Sequence, residues 1–256
     1  MTTARNSARL RAFRAPALLA IAMLASLAVS PAASAGPIVS APPTECTGTI
    51  GAETVDRIVV PDGATCTLNG TTVVGNVVVG AGSSLITTGA TLGGNVRADV
   101  GPDIIRLIDT NIERNIFVKR ATGEITIGAA GCAVDPVAGN NVKLTRNKAP
   151  IAICLMSIGE NLQLSDNKRR IGVFDNVVGN NLQATDNTGA SLRLRDNMVG
   201  ISGGGSIQVD DNHVGVLLLE RNDAGNHIDC DGNTPDPAGS GNTADNGLTG
   251  QCATLG

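Results

Sequence analysis

Three Asp-Asn pairs, Asp166-Asn167, Asp186-Asn187 and Asp211-Asn212, recur at intervals of 20 and 25 residues, with Asp210 and His213 beside the last. Regularly spaced carboxylates can share a divalent cation, or act as acid and base in cutting an acidic polysaccharide. A basic run, Lys168-Arg169-Arg170, follows the first pair and could meet an anionic polymer, although a short basic run in a turn is usually just solvated. Near the C-terminus, Asp229-Cys230-Asp231-Gly232-Asn233 begins like a calcium loop. Its sixth position is Thr234, where Gly is required, and its twelfth is Ser240, where Glu is required, so a Gly-rich cap is the better reading. His213 and His227 lack partners at metal spacing, and no two Cys form a CxxC pair. Neither a metal nor another cofactor is expected.

These residues are positioned by a repeat of about twenty residues. Alignment on Asn76, Asn95, Asn115, Asn141, Asn161, Asn181 and Ser206 gives intervals of 19, 20, 26, 20, 20 and 25. One and three residues after each anchor the chain is apolar, as at Leu162 and Leu164 or Leu182 and Ala184, and the residue between is mostly polar. Such alternation predicts a strand with one buried face. Three residues before each anchor stand Val73, Leu92, Ile112, Ala138, Ile158, Val178 and Gly203. Each of the best-preserved units carries a second short strand, with Ile151 and Ile153, Ile171 and Val173, Leu192 and Leu194, and Val216 and Leu218 in corresponding places. Twenty residues leave no room for a helical crossover between parallel strands. The expected fold is therefore all-β, a single-stranded parallel β-helix: a solenoid of about seven or more turns with disulfide-clamped ends.

Composition agrees with this architecture. The chain has no Trp, no Tyr and three Phe, yet 42% of its residues are hydrophobic, so Val, Ile, Leu and Ala must fill a narrow interior. The same scarcity disfavours recognition of sugar rings or nucleobases by aromatic stacking. Asn147, Asn167, Asn187 and Asn212 close the first strand of successive units, and Asn176, Asn197 and Asn222 close the second. Asn tolerates the left-handed backbone of a sharp corner, and stacked Asn side chains can hydrogen-bond along the solenoid.

The repeat also weakens the catalytic reading of the acids. Corners favour Asp and Asn, and Asp175 and Asp196 recur at the second corner just as Asp166, Asp186 and Asp211 do at the first. Neither Gly-His-Gly nor Arg-Ile-Lys, which pectin-hydrolase motifs contain, occurs near them. The preferred expectation is a non-catalytic structural or binding module, and the alternative is a polysaccharide lyase or hydrolase acting on acidic glycans through the Asp column. Outward Gln163, Gln183 and Gln208, with Ser165, Thr185 and Asp210 two residues on, form a polar ladder suited to a glycan or protein contact. No unit of this column offers Thr-x-Thr, which disfavours ice binding. The candidate ligand or cation contacts are thus Asp166, Asp186, Asp211, Gln163, Gln183 and Gln208, and no catalytic residue is assigned.

The six Cys lie 20, 22 and 22 residues apart when paired in order, each about one turn. Residues one turn apart on stacked strands are about 5 Å apart, within disulfide reach. The expected bridges are Cys46–Cys66, Cys132–Cys154 and Cys230–Cys252. At the N-terminus, Arg5, Arg9, Arg11 and Arg14 precede an apolar run from Ala17 to Val29 and then Ala33-Ser34-Ala35, the pattern of a signal peptide cut before Gly36. Its removal takes four Arg and no acid, changing the formal net charge from −4 to −8. That balance disfavours nucleic acid and anionic lipid, and no later segment is long and apolar enough to insert in a membrane. The expected organisation is a signal peptide at 1–35, an N-terminal capping region at 36–72, β-helix repeats at 73–222 and a C-terminal disulfide cap at 223–256. The expected location is extracellular or cell-envelope associated, with a glycan or envelope component as partner.

Gly-Asn-Val at 75–77 and 94–96, Gly-Glu-Asn-Leu-Gln at 159–163 and Gly-Asn-Asn-Leu-Gln at 179–183 resemble the repeats of secreted bacterial right-handed parallel β-helix proteins of unknown function. Val59-Val60-Pro61-Asp62-Gly63-Ala64-Thr65-Cys66-Thr67-Leu68 is similar to their opening, and Cys230 to Cys252 to their close. The resemblance covers nearly the whole exported chain. It implies right-handed winding and carries no activity.

Overall fold

The computed structural model describes residues 42–129, 136–200 and 203–256. The expected signal peptide and Cys132 lie outside these residues. From Thr44 onward the chain visits three sheets in rotation, and every strand pairing is parallel. The first sheet has 11 strands, from Thr44–Glu45 to Leu248–Gly250. The second has 9, from Thr49–Ile50 to Leu217–Glu220, and the third has 10, from Thr54–Val55 to Thr243–Ala244. This is a parallel β-solenoid of about 10 turns, with no helix among the described residues. Its turns extend into both stretches read from sequence as caps.

Register follows the repeat through the first sheet, where Leu162 pairs with Leu182, Leu182 with Ile207 and Ile207 with Ile228. Inward positions alternate with outward ones, so Ile58, Val77, Val96, Ile116 and Val142 stack in one buried column. All 49 residues of the core cluster are aliphatic, Met or Cys, so the aromatic-free composition suffices for a continuous interior. Two positions depart from the sequence alignment, both around the 25-residue interval. Leu192 and Leu194 pair with Leu217 and Leu219, while Val216 is 43% exposed, so the second strand lies one residue later than Val216 and Leu218 imply. Likewise Val178 pairs with Val199 and not with Gly203, because the extra residues fall after the third-sheet strand.

The Asn columns hydrogen-bond along the solenoid as expected, but they do not form the left-handed corner. The left-handed corner belongs to the residue before each Asn: Arg146, Asp166, Asp186 and Asp211 have φ of 58°, 56°, 56° and 53°. The corner turns the following Asn inward, where Asn147, Asn167, Asn187 and Asn212 are fully buried. Each donates its backbone N–H and its Nδ2–H to Oδ1 of the next, and Nδ2–H also reaches a backbone carbonyl of an earlier turn, as Asn167 does to Leu144. The ladder continues through Asn233 and ends on Oε1 of Gln251. A second buried ladder runs Asn176, Asn197, Asn222 and Asn242 and ends on the carbonyl of Leu255. A third, half-buried ladder joins the anchor residues from Asn76 to Asn181 with the opposite polarity, each later Asn donating to the earlier one. Satisfying these amides inside the stack removes the desolvation penalty of burying them.

Close packing of successive turns is visible at Gly179, where an added Cβ would lie 2.2 Å from the carbonyl oxygen of Gly159. Gly159 faces Gly139 in the same way, at 2.0 Å, so this corner admits no side chain. The bridges Cys46–Cys66 and Cys230–Cys252 form near the two ends, each with a Cα–Cα distance of 5.3 Å. Cys154 is also disulfide-bonded. Disulfides of this kind point to an oxidising compartment.

Candidate functional site

Asp166, Asp186 and Asp211 do stack in one column, since the N–H of Asp166 donates to Thr185 O, that of Asp186 to Asp210 O and that of Asp211 to Asp231 O. Their common property is the left-handed turn, which short polar side chains adopt at low cost. Asp166 lies 3.6 Å from the Arg146 guanidinium, while Asp186 and Asp211 are solvent-exposed. Among the described residues no group of three His, Cys, Asp or Glu is placed to hold a metal ion. The column brings the three carboxylates into line without converging them on a nucleophile or a shared ligand position.

The Gln ladder is also formed. Nε2 of Gln163 donates to Oε1 of Gln183 at 3.2 Å, and Nε2 of Gln183 to Oε1 of Gln208 at 2.7 Å. These amides spend much of their hydrogen-bonding capacity on one another. Asp229 follows Gln208 in this column and accepts from the hydroxyl of Thr249. The stretch from Asp229 to Asp231 is a strand with alternating faces, which is incompatible with a calcium loop. Burial pushes the Asp210 carboxyl above its ordinary value, partly opposed by the N–H of Asp231, and the charges of Asp229, Asp211 and Asp231 push the same way as burial. His213 is exposed and His227 is half-buried, on separate strands or corners.

A further surface surrounds the basic run Lys168-Arg169-Arg170 and extends beyond what the sequence shows of it. The outward positions of the second sheet fall to Ala152 and Gly172, with Arg193 in register beyond them. Two small residues followed by a long one leave an open concavity of about 430 Å³, bordered by Arg170, Phe174, Ser191 and Arg193. Phe174 packs its ring directly over Gly172, where an added Cβ would lie 2.5 Å from a ring carbon. The Arg195 guanidinium stands 5.2 Å from the ring centroid. A second concavity of about 460 Å³ shares Arg170 and is lined by Lys148, Lys168 and Arg169. Lys148, Lys168, Arg169, Arg170 and Arg193 make no salt bridge among the described residues. Glu124 lies on the border of this face, its carboxyl held below the ordinary value by the Thr126 hydroxyl and, against burial, by Arg106 and Arg170.

Charge along the chain is segregated accordingly. Residues 101–195 hold twelve Lys and Arg against nine Asp and Glu, whereas 196–256 hold one against nine. The sequence signal for the basic face was present: Lys148 and Lys168 are one 20-residue repeat apart, and Ala152 and Gly172 occupy the polar position of the second-strand alternation.

No family model matches the chain, and no curated protein and no solved structure matches it either. The likeness to the bacterial β-helix repeats therefore rests on the motifs themselves, and the parallel β-solenoid rests on the coordinates.

Proposed function

We propose that this protein is a non-catalytic structural or binding module of the cell envelope or extracellular space, exported through the signal peptide at 1–35 and cut before Gly36. The observation that carries this reading is the corner column: its acids occupy the positions the left-handed turn requires, and Arg146 occupies the same place in the preceding turn. A catalytic column would have a local departure from the repeat that gathers an acid, a base and a cleft. Asp166, Asp186 and Asp211 have the repeat instead. The disulfides support an oxidising destination, and the motifs at 75–77, 159–163 and 179–183 support a place among secreted bacterial right-handed β-helix proteins. Glycan-array binding by the purified protein, with and without calcium, tests the reading. Retention of an intact glycan is expected, and cleavage of the bound glycan that Asp186→Ala abolishes would overturn it.

A further inference from the structure

We propose that the outer face of the second sheet, around Gly172, is a binding site for a linear acidic polysaccharide carrying one carboxylate per sugar. The inference rests on the binding-module reading and names its ligand class. Its basis is the joint occurrence of unpaired cations, an apolar wall and room for a chain.

Lys148 and Lys168 stack one turn apart on the corner that leads into the sheet, and Arg169 and Arg170 follow Lys168. Arg193 extends the positive surface onto the sheet itself, in register with Gly172. Successive turns are about 4.8 Å apart, so charges of neighbouring turns repeat on the scale at which a uronate polymer repeats its carboxylates. Small Ala152 lets a pyranose ring approach the strands, and Phe174, lying over Gly172, supplies an apolar wall for its C–H face. Arg170 belongs to both concavities and joins them into one path. Glu124 lies near Arg170, but none of these guanidinium and ammonium groups makes a salt bridge among the described residues, so they are available to a carboxylate, for which Arg offers a bidentate fork.

A nucleic acid fits this surface less well. Its phosphates are denser, it needs several stacking faces where one Phe is present, and nine acids occupy residues 196–256. An oxidising compartment also favours a glycan over nucleic acid as the available polyanion.

The test is fluorescence anisotropy with labelled polygalacturonate, its fully methyl-esterified form and single-stranded DNA, at low and moderate salt. Polygalacturonate is expected to bind, to weaken as salt rises, and to lose about tenfold or more in affinity in the Arg170→Gln/Arg193→Gln variant. Arg114→Gln, which removes a cation from another corner, should leave affinity within about twofold. Thermal melting of each variant establishes that it is folded. Equal loss in Arg114→Gln, equal binding of the methyl ester, or tighter binding of DNA would each overturn the proposal. Cleavage of bound polygalacturonate would refute the non-catalytic reading and leave this site standing, whereas absence of binding and of cleavage refutes the site alone.

Discussion

Asn187 donates its backbone N–H and its Nδ2–H to the single Oδ1 of Asn212, at 3.0 and 2.9 Å, in a fully buried position. Asn167 makes the same pair of bonds to Asn187, so each Asn is donor to one turn and acceptor from another. Asn187→Ala would leave the backbone N–H of Asn167 without its acceptor, take one of the two donors from Oδ1 of Asn212 and remove the bond to the Leu164 carbonyl. We expect a loss of about 2–4 kcal/mol by denaturant unfolding. Asn187→Asp retains an acceptor but buries a carboxylate, and its instability should ease as pH falls through the aspartate's titration.

The corner before that Asn makes the opposite demand. Asp186 sits at φ 56° with an exposed side chain, so Asp186→Gly should change stability by no more than about 0.5 kcal/mol. Asp186→Val should cost about 1–2 kcal/mol, because a β-branched residue is disfavoured in the left-handed region. A chemical-denaturation series over the two variants checks the ordering.

Close turn-to-turn approach gives a third expectation. Gly179→Ala places a methyl group against the Gly159 carbonyl, which backbone and not a flexible side chain must accommodate. A loss of at least about 2 kcal/mol is expected, with hydrogen-exchange protection falling first in the turns on either side.

At the C-terminal end, Cys230 and Cys252 close a loop with a sequence separation of 22. Replacing both with Ser should cost about 3 kcal/mol and expose the last turns to exchange while the central ones stay protected. Exchange mass spectrometry distinguishes this local fraying from global loss.

Asp210 supplies the pH dependence. Burial raises its folded-state value above that of the unfolded chain, so the folded state holds the proton more tightly. Stability therefore falls as pH rises from the ordinary carboxylate range through the raised value, and the penalty is fully present above it. Asp210→Asn, which keeps an acceptor for the Asp231 N–H, should raise the melting temperature at pH 7 and give no gain at pH 3.

Much of the solenoid was legible because one period governs everything: Leu162, Leu182 and Ile207 recur at the spacing of a turn and pair in the structure as they align in sequence. The period misplaced only Val216, Leu218 and Gly203, where inserted residues shift the frame between one sheet and the next. Exchange of roles between Asp and Asn at the corner was less legible. Both residues tolerate the left-handed region, and only burial shows that Asn187 is the inward partner. The ladders' extension to Asn233 and Asn242 was hidden in a stretch that reads as a Gly-rich loop. Of the basic face only the run Lys168-Arg169-Arg170 is legible in the sequence, because Lys148 and Arg193 come from the turns on either side and join it only when turns are stacked.

The central claim is that the carboxylate column builds turns and does no chemistry. The most direct measurement is prolonged incubation of the purified protein with polygalacturonate, alginate and their neutral analogues, with and without calcium, following new reducing ends and unsaturated uronates. The account predicts no product above the protein-free control, with Asp186→Ala indistinguishable from wild type. Product formation that Asp186→Ala abolishes, in a variant that remains folded, would contradict it.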